Sequence, residues 1–243
     1  MSQGLEGAVV LVTGAGGTIG RAVLAALGQA GAIAVGADRA PGPGIDHVFD
    51  VTDEAGWAAA ASVIDGAHGR LDGLVTAAGI MHVAGLTETA YTDFQLVMAV
   101  NVDGTFLAAK TCWPLLQRGA APSIVTLSSV SGLIGGAKFI AYNASKGAVR
   151  IMTKSLALAG AREAPPIRAN SVHPAFVEGE MVDGIAALMR DPATGHDKMR
   201  AMVPMGRFAE PQEIAAAILG LLSPASAFTT GAEIVIDGGL TAQ

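Results

Sequence analysis

The sequence predicts an α/β protein: a single-domain, doubly wound parallel sheet of about seven strands, flanked by helices. Short runs rich in valine and isoleucine alternate along the chain with amphipathic helical segments. Most of these runs are continuously apolar, which is typical of strands buried on both faces. No repeat, linker or low-complexity tract divides the 243 residues. We therefore predict one domain that covers residues 1–243.

Composition and charge exclude several classes of protein. Hydrophobic residues make up 51% of the chain and charged residues 15%, which excludes a disordered chain. The net charge is −6 without any basic block, so we expect neither nucleic acid nor a membrane as a partner. The start of the chain has no basic region followed by an apolar run, and no apolar stretch approaches the roughly 20 residues that span a bilayer. We expect a cytoplasmic protein.

The sequence does not predict metal chemistry. The one cysteine, Cys112, lies in a predicted helix and is interpreted as a small buried hydrophobe. Apart from His173, the histidines show no spacing typical of metal ligands; they are His47, His68, His82 and His196. We therefore expect a site without a metal ion.

The first predicted unit is a strand, a glycine-rich loop, a helix and a second strand. Residues 8–13 are an apolar run that leads into Gly14-Ala15-Gly16-Gly17-Thr18-Ile19-Gly20. A helix pattern follows, and a strand over residues 33–37 ends at Asp38, about 20 residues beyond the loop. Glycines allow a pyrophosphate to approach closely, and the helix N-terminus offers it amide donors. This context predicts a dinucleotide site, although Ile19 replaces the third glycine of Gly-x-Gly-x-x-Gly.

Asp38 predicts which dinucleotide binds. A carboxylate at the end of this strand can accept two hydrogen bonds from a ribose diol, and its charge repels a 2′-phosphate. The sequence therefore favours NAD over NADP. Arg39 is the contrary signal, because an arginine at this place can pair with a phosphate. The loop adds no second basic residue, only Gly17 and Thr18, so we expect Asp38 to decide the preference.

Five further strands complete the predicted sheet. They cover residues 46–50, 71–77, 124–127, 167–172 and 233–236, with helices at 53–68, 91–112 and 211–222. Ligands bind beyond the carboxyl ends of the strands in open parallel sheets. The residues that would share this edge are Gly14, Asp38, Asp50, Ala77 and Ser129. Asp50 is either a helix cap or an adenine contact; Thr52 and Asp53 are better caps, which leaves Asp50 freer for the ligand.

Tyr142 and Lys146 are the candidate proton-handling pair. Because they are four residues apart, they share one face of a predicted helix. A phenol titrates near pH ~10, and a neighbouring ammonium favours the phenolate, so we expect Lys146 to lower the pKa of Tyr142. Tyr-x-x-x-Lys also occurs by chance on solvated helices. Asn101, polar among apolar neighbours, is either a satisfied core residue or kink, or a residue that distorts its helix and anchors a water.

The segment 176–205 is a candidate substrate lid. It is amphipathic, interrupted by Asp191-Pro192 and Gly195, and rich in methionine, a flexible side chain that adapts to irregular apolar surfaces. The alternative is an ordinary pair of surface helices. The residues predicted to line an apolar substrate pocket are Met81, Val130, Ile140, Phe176 and Met181.

Several motifs in a fixed order resemble the short-chain dehydrogenase/reductase family over essentially the whole chain. They are the loop 13–20, Asn101, Ser129 thirteen residues before Tyr142, Lys146, and the segments 170–174 and 236–239. The resemblance implies a Rossmann-type fold and hydride transfer between NAD and a secondary alcohol or ketone. It implies that Tyr142 is the general acid or base and that Ser129 binds the substrate oxygen. Lys146 would hold the nicotinamide ribose and Asn101 would support a water-linked proton relay.

The resemblance also implies cofactor contacts by residues of the loops and strand ends. They are Gly14, Gly17, Thr18, Ile19, Asp38, Arg39, Asp50, Val51, Ala77, Gly79, Tyr142, Lys146, Pro174 and Val177. Three places depart from the family pattern. Thr18 replaces the usual middle glycine of the loop, and Thr76-Ala77-Ala78-Gly79 replaces Asn-Asn-Ala-Gly. Ala175 and Gly179 stand where the family often has glycine and a nicotinamide-binding threonine, which puts one cofactor contact in doubt.

Other functions are possible on the same fold. A non-catalytic NAD-binding sensor or scaffold would be expected to lose Ser129, Tyr142 or Lys146, and all three are present. An epimerase or dehydratase of this fold usually carries a longer substrate domain. Residues 164–174 resemble those of enzymes that act on cyclic or steroid-like secondary alcohols. The resemblance implies a homotetramer, in which the apolar last helix and strand would fit subunit faces.

Overall fold

A seven-stranded parallel sheet forms the centre of the protein. The computed structural model describes residues 4–189 and 191–243. The strands are β1 Val9–Thr13, β2 Ile33–Asp38, β3 His47–Val48, β4 Gly73–Thr76, β5 Ser123–Leu127, β6 Arg168–Pro174 and β7 Glu233–Ile236. Their order is β3-β2-β1-β4-β5-β6-β7, and each neighbouring pair is parallel. The predicted doubly wound α/β fold is confirmed.

Helices cover both faces of this sheet. They are α1 Thr18–Gln29, α2 Glu54–His68, α3 Tyr91–Met98, α4 Gly104–Leu116, α5 Ile140–Gly160, α6 Glu180–Ala187, α7 Gly195–Ala201 and α8 Pro211–Leu222. One apolar core packs α2 and α4 on the sheet, and includes the buried Cys112; a second core packs α1 with α8. The large apolar residues of α8 are therefore buried inside the subunit, and the expectation that this helix also fits a subunit face stays a prediction. Within the described residues, none of the helices is both long and apolar enough to cross a membrane.

The edge strand β3 is shorter than predicted. Only His47–Val48 pair with β2, instead of residues 46–50. The Asp46 carboxylate accepts a hydrogen bond from the Gly36 N–H at 2.8 Å, and the Phe49 ring packs on Trp57 with centroids 4.9 Å apart. Both side chains hold their backbone to neighbouring elements at the ends of the pairing. Short edge strands also leave few unpaired backbone groups open to other chains.

Two inner strands also differ from their predicted bounds. β4 begins at Gly73, two residues later than predicted, because the Asp72 carboxylate accepts the N–H of the first residue of β1 at 2.9 Å. β6 continues to Pro174, two residues farther than predicted, because the Ala175 N–H still binds the Ile236 carbonyl at 3.1 Å. The longer β6 carries its last residues to the edge where Ser129 lies.

In its described residues, the segment 176–205 forms the short helices α6 and α7 over a small apolar core. α6 and α7 contribute side chains to this core, with Phe208 just beyond the segment. The residues are Val182, Ala186, Met199 and Phe208, with Phe176, Ile185 and Met189 packed against them. The rings of Phe176 and Phe208 meet edge to face with centroids 5.8 Å apart. This arrangement is compatible with a lid and with an ordinary pair of surface helices.

Candidate active site

The carboxyl ends of the strands bring most of the predicted site residues to one edge of the sheet. β1 leads to Gly14, β2 ends at Asp38, β5 leads to Ser129 and β6 ends at Pro174. All the strands are parallel, so these ends lie side by side. The glycine loop, the Asp38 carboxylate and the Ser129 hydroxyl therefore lie along the same edge of the sheet.

The loop between β1 and α1 is shaped for close approach of a ligand. Gly14 has a φ of 62°, and a Cβ on it would lie 2.6 Å from the backbone nitrogen of Ala78. A side chain at this position would therefore be strained and would clash. α1 begins at Thr18; in the described part of the chain no side chain caps its N-terminus and its first turn holds no acidic residue. The helix dipole and first-turn amides suit an anion such as a pyrophosphate, so the loop fits a dinucleotide.

The Asp38 carboxylate faces this loop. Its Oδ2 accepts a hydrogen bond from the Gly16 N–H at 3.0 Å, and its Oδ1 accepts one from the Ala40 N–H at 3.2 Å. The Arg21 guanidinium, from α1, donates to the carbonyl of Gly16. Asp38 and the Arg21 cation thus contact the same residue of the loop, and Arg21 was not predicted because it lies outside the loop.

Asp50 is not the cap of α2. That cap is Asp53, whose carboxylate accepts the Ala55 N–H at 2.9 Å. Asp50 Oδ1 accepts the N–H and the hydroxyl of Thr52, at 2.9 and 2.7 Å. These hydrogen bonds, with a smaller effect from the Arg39 guanidinium, lower the pKa of Asp50. Asp50 is an exposed carboxylate beside the dinucleotide edge, and its contact with adenine stays a prediction.

Ser129, Tyr142 and Lys146 are gathered by β5 and α5. Ser129 follows β5, and its Oγ accepts the Ser131 N–H at 3.1 Å. Tyr142 and Lys146 lie one turn apart near the start of α5, with the ammonium 5.6 Å from the ring centroid. Lys146 Nζ donates to the Leu127 carbonyl at 2.7 Å. All three predicted catalytic side chains are buried.

Burial governs the pKa values of this pair. It raises the pKa of Tyr142 to about 12, while a hydrogen bond with Ser129 acts in the opposite direction. Burial also lowers the pKa of Lys146 to about 8. The expectation that Lys146 lowers the pKa of Tyr142 is therefore wrong for the protein without a bound cofactor. Both charged forms lose hydration here, and the ammonium hydrogen-bonds to Leu127.

Asn101 lies in a π-helical turn, Ala99–Asp103, between α3 and α4. Its Oδ1 accepts the Ile80 N–H at 2.8 Å, and its Nδ2 donates to the Ile80 carbonyl and to Ser145 Oγ, both at 2.9 Å. Ser145 donates in turn to the Tyr142 carbonyl at 2.8 Å. Asn101 therefore connects the loop after β4 to the helix that carries Tyr142. Asn101 is buried and hydrogen-bonded in a distorted helix, which agrees with both alternatives that the sequence left open; the water that Asn101 would anchor stays a prediction.

The predicted substrate residues occupy different environments. Met81 follows the Ile80 backbone that Asn101 holds, Val130 follows Ser129, and Ile140 is the first residue of α5; all three are half-buried. On α6, Met181 is 45% exposed. Phe176 packs into the small core of the segment 176–205. Their contacts with a substrate stay predictions.

His173 is a supporting residue that the sequence analysis missed. It is buried in β6, with Nδ1 3.2 Å from the Ser129 carbonyl and Nε2 2.7 Å from Ser171 Oγ. Burial lowers the pKa of His173, so the neutral imidazole donates to the carbonyl and accepts from the hydroxyl. A polar residue at the end of a buried strand was the available signal, because such a side chain requires partners.

Asn143 is a second missed residue, and it holds the loop after Ser129. Its Nδ2 donates to the carbonyls of Ser131 and Ile134, at 2.6 and 2.7 Å. Because the Ser131 N–H binds Ser129 Oγ, Asn143 acts through Ser131 on the direction of the serine hydroxyl. Its place beside Tyr142 was the only sequence signal.

Comparisons with known proteins agree with this arrangement. A family profile described as Enoyl-(Acyl carrier protein) reductase matches residues 7–241. The NADP-dependent (R)-specific alcohol dehydrogenase of Lentilactobacillus kefiri is 35% identical over 239 residues, which cover 98% of this chain and 88% of that relative. The chain belongs to the short-chain dehydrogenase/reductase family.

Two further members of this family differ in their substrates. The 3-alpha-(or 20-beta)-hydroxysteroid dehydrogenase of Mycobacterium tuberculosis is 34% identical over 256 residues, covering 100% of this chain and 92% of the relative. The ligand-free structure of Thermoplasma acidophilum aldohexose dehydrogenase has a TM-score of 0.94 at 31% identity, covering 100% of this chain and 97% of that one. The protein is thus a short-chain oxidoreductase with relatives that are alcohol dehydrogenases, in a family that uses a nicotinamide cofactor.

Proposed function

We propose that the protein transfers a hydride between NAD(H) and a secondary alcohol or ketone. The buried group of Ser129, Tyr142 and Lys146 carries this proposal, because it stands on the same sheet edge as the glycine loop and Asp38. A proton donor beside a dinucleotide site is what reduction of a carbonyl requires. When bound, the nicotinamide supplies or accepts the hydride.

The residues that would hold the cofactor follow the edge of the sheet. Gly14, Gly17 and Ile19 would hold the pyrophosphate, with Thr18 beside it at the start of α1, and the adenosine half would meet Asp38, Arg39, Asp50 and Val51. Ala77, Gly79, Pro174 and Val177 would contact the remaining part, with Tyr142 and Lys146 at the nicotinamide ribose. A Cβ on Gly79 would lie 3.4 Å from Lys146 Nζ, so the backbone after β4 already approaches the ammonium.

Tyr142 is proposed to move the proton. During ketone reduction its hydroxyl donates a proton to the substrate oxygen and becomes a phenolate, and during alcohol oxidation the phenolate accepts the hydroxyl proton of the substrate. The pKa of about 12 keeps the phenol protonated at neutral pH, which favours the acid role. Ser129 Oγ accepts the Ser131 N–H and donates a long hydrogen bond, of 3.4 Å, to the Pro174 carbonyl. We expect its hydrogen to turn from that carbonyl to the substrate oxygen when substrate binds.

A panel of alcohols tests the proposed function. Absorbance of the reduced nicotinamide is followed with NAD and with NADP, using linear, cyclic, steroid and sugar alcohols. We expect the highest kcat/KM with NAD and cyclic or steroid-like secondary alcohols, because Met81, Val130 and Ile140 would present an apolar wall. Binding of NADH without turnover of any alcohol or ketone would instead indicate a sensor or scaffold.

The pKa of Tyr142 can be measured directly, because the chain has only two tyrosines. In the Tyr91→Phe variant, the phenolate absorbance of the cofactor-free protein reports on Tyr142 alone. We expect a midpoint at about 12, because burial disfavours the phenolate. Folded Tyr142 then keeps its proton where an unfolded phenol loses it, so its contribution to stability falls as the pH rises from ~10 towards that midpoint. A midpoint below ~10 would restore the expectation that Lys146 lowers the pKa.

Replacing Asn143 with alanine is expected to loosen the loop after Ser129. Two short hydrogen bonds are lost, so amide exchange over residues 131–136 should speed up about tenfold and KM should rise about fivefold. Hydrogen exchange by mass spectrometry and steady-state kinetics measure both changes. Asn143→Asp keeps the shape but removes the donor, and should behave like alanine; normal exchange in both variants would contradict the role.

We also propose a homotetramer and a lid role for the segment 176–205. Large apolar side chains are exposed on α4 and α5: Phe106 at 50%, Ile151 at 55% and Leu158 at 72%. Burial of such residues against another copy would stabilise an assembly. Light scattering in solution, giving a mass of four chains or of one, tests the assembly.

Protection of the segment 176–205 from hydrogen exchange when substrate and cofactor bind tests the lid.

A further inference from the structure

Thr18 and Gly179, two departures from the family pattern, lie against each other. Gly179 precedes α6 with a φ of 136°, a backbone conformation that favours glycine. A Cβ on residue 179 would lie 2.5 Å from Thr18 Oγ1 and 2.8 Å from Thr18 Cγ2. Nonbonded carbon atoms do not approach this closely. The Thr18 side chain therefore occupies the space that a side chain on residue 179 would need.

The Thr18 hydroxyl is available to a ligand. Thr18 is half-buried, and among residues 4–189 and 191–243 its Oγ1 has no hydrogen-bond partner. It is also the first residue of α1, at the helix end that faces the proposed pyrophosphate. A hydroxyl both donates and accepts, so it suits phosphate oxygens and a carboxamide.

We propose that Thr18 supplies from the loop a hydroxyl to the nicotinamide half of the dinucleotide, and that Gly179 makes room for it. This inference rests on the proposed function, because it requires a nicotinamide dinucleotide at this edge. Gly179 has no hydroxyl, and Thr18 then provides one from the opposite side of the contact between the two residues. The two departures therefore form one exchanged pair, in which residue 18 carries the hydroxyl and residue 179 carries none. Thr18 is a cofactor-binding residue that also contacts the start of the segment 176–205.

Calorimetric titration of the cofactor-free protein tests the hydroxyl. Thr18→Val keeps the shape of the side chain without its hydroxyl, and Thr18→Ser keeps the hydroxyl. We expect Thr18→Val to weaken NADH binding about fivefold to tenfold and Thr18→Ser to stay within about twofold of the wild type. AMP, which lacks the nicotinamide half, should bind all three proteins equally.

The outcomes separate this inference from the proposed function. Thr18→Val that binds NADH like the wild type would overturn the hydroxyl contact. An equal loss of AMP affinity would also overturn it, because the substitution would then disturb the whole loop. Failure of the wild type to bind NADH would instead overturn the proposed function.

A double-mutant cycle tests the exchanged pair without any cofactor. Gly179→Ala is made in the wild type and in the Thr18→Gly variant, and thermal melting is measured. The backbone strain at residue 179 is the same in both backgrounds, so the difference between the two losses of melting temperature reports on the contact with Thr18. We expect a clearly larger loss of melting temperature in the wild type; equal losses would show that the two residues are independent. Gly184→Ala is the matched control in α6, because its Cβ would meet no atom within 4 Å.

Discussion

Tyr142→Phe is expected to lower kcat about a thousandfold in both directions while NADH binds within about twofold of the wild type. The phenylalanine ring can fill the same buried place on α5, next to the ammonium of Lys146. The substitution removes the hydroxyl that is proposed to transfer the proton to and from the substrate oxygen. Steady-state kinetics and calorimetric NADH titration measure the two quantities separately.

The other tyrosine provides the matched control for this variant. Tyr91 lies at the start of α3 with 72% of its surface exposed, so Tyr91→Phe should keep full turnover. Turnover of Tyr142→Phe within about tenfold of the wild type would contradict the proton-transfer role. A lower melting temperature together with lost NADH binding would show that the hydroxyl supports the fold, which would also remove the argument for catalysis.

The fold was largely predictable from the sequence because its strands are apolar on both faces and its helices have clear apolar stripes. The bounds of α8 and β7 agree with the prediction, residue for residue. β3 was overestimated because side chains hold residues on both sides of its two-residue pairing, a tertiary effect that a local pattern does not contain. The order of the strands is likewise set by packing between distant segments.

The candidate catalytic residues were predictable where one helix fixes their relation. Tyr142 and Lys146 are one turn apart, so their shared place on α5 follows from helix geometry. The pKa of Tyr142 did not follow from spacing. The pKa depends on how deeply the phenol is buried and on its hydrogen bond with Ser129.

Contacts between distant segments are the part that the sequence did not predict. Thr18 and Gly179 were recognised as separate departures, yet the structure makes them neighbours. For Asn101 the sequence left open a satisfied core residue or kink and a residue that distorts its helix and anchors a water. Its hydrogen bonds to Ile80 and Ser145 require the folded arrangement of three elements. Such contacts form only in the folded protein, where the sheet brings the ends of its strands together.

We expect the cofactor preference to depend on the balance between one carboxylate and two arginines. Asp38 contacts the Gly16 N–H, and Arg21 donates to the carbonyl of the same residue. Arg39 follows Asp38 directly in sequence. A ribose diol suits the carboxylate, whereas a 2′-phosphate suits the guanidinium groups. The relative from Lentilactobacillus kefiri is NADP-dependent, so membership of the family does not by itself decide between NAD and NADP.

Asp38→Asn is expected to raise the ratio of kcat/KM for NADP to that for NAD about a hundredfold. Asparagine keeps an oxygen that can accept the Gly16 N–H, so the change isolates the charge. Unit charges ~4 Å apart interact by about 4 kcal/mol near a protein surface, and salt reduces this value. Steady-state kinetics with both cofactors at low and high salt measure the effect, which should shrink as salt rises.

The arginines provide the counterpart of this experiment. Arg21→Gln in the Asp38→Asn background should remove much of the gained NADP activity, because the phosphate loses a partner. Arg21→Gln alone should leave NAD turnover nearly unchanged. If Asp38→Asn kept a strong preference for NAD, the carboxylate charge would not be the selective element, and the shape of the pocket around the adenosine ribose would have to exclude the 2′-phosphate.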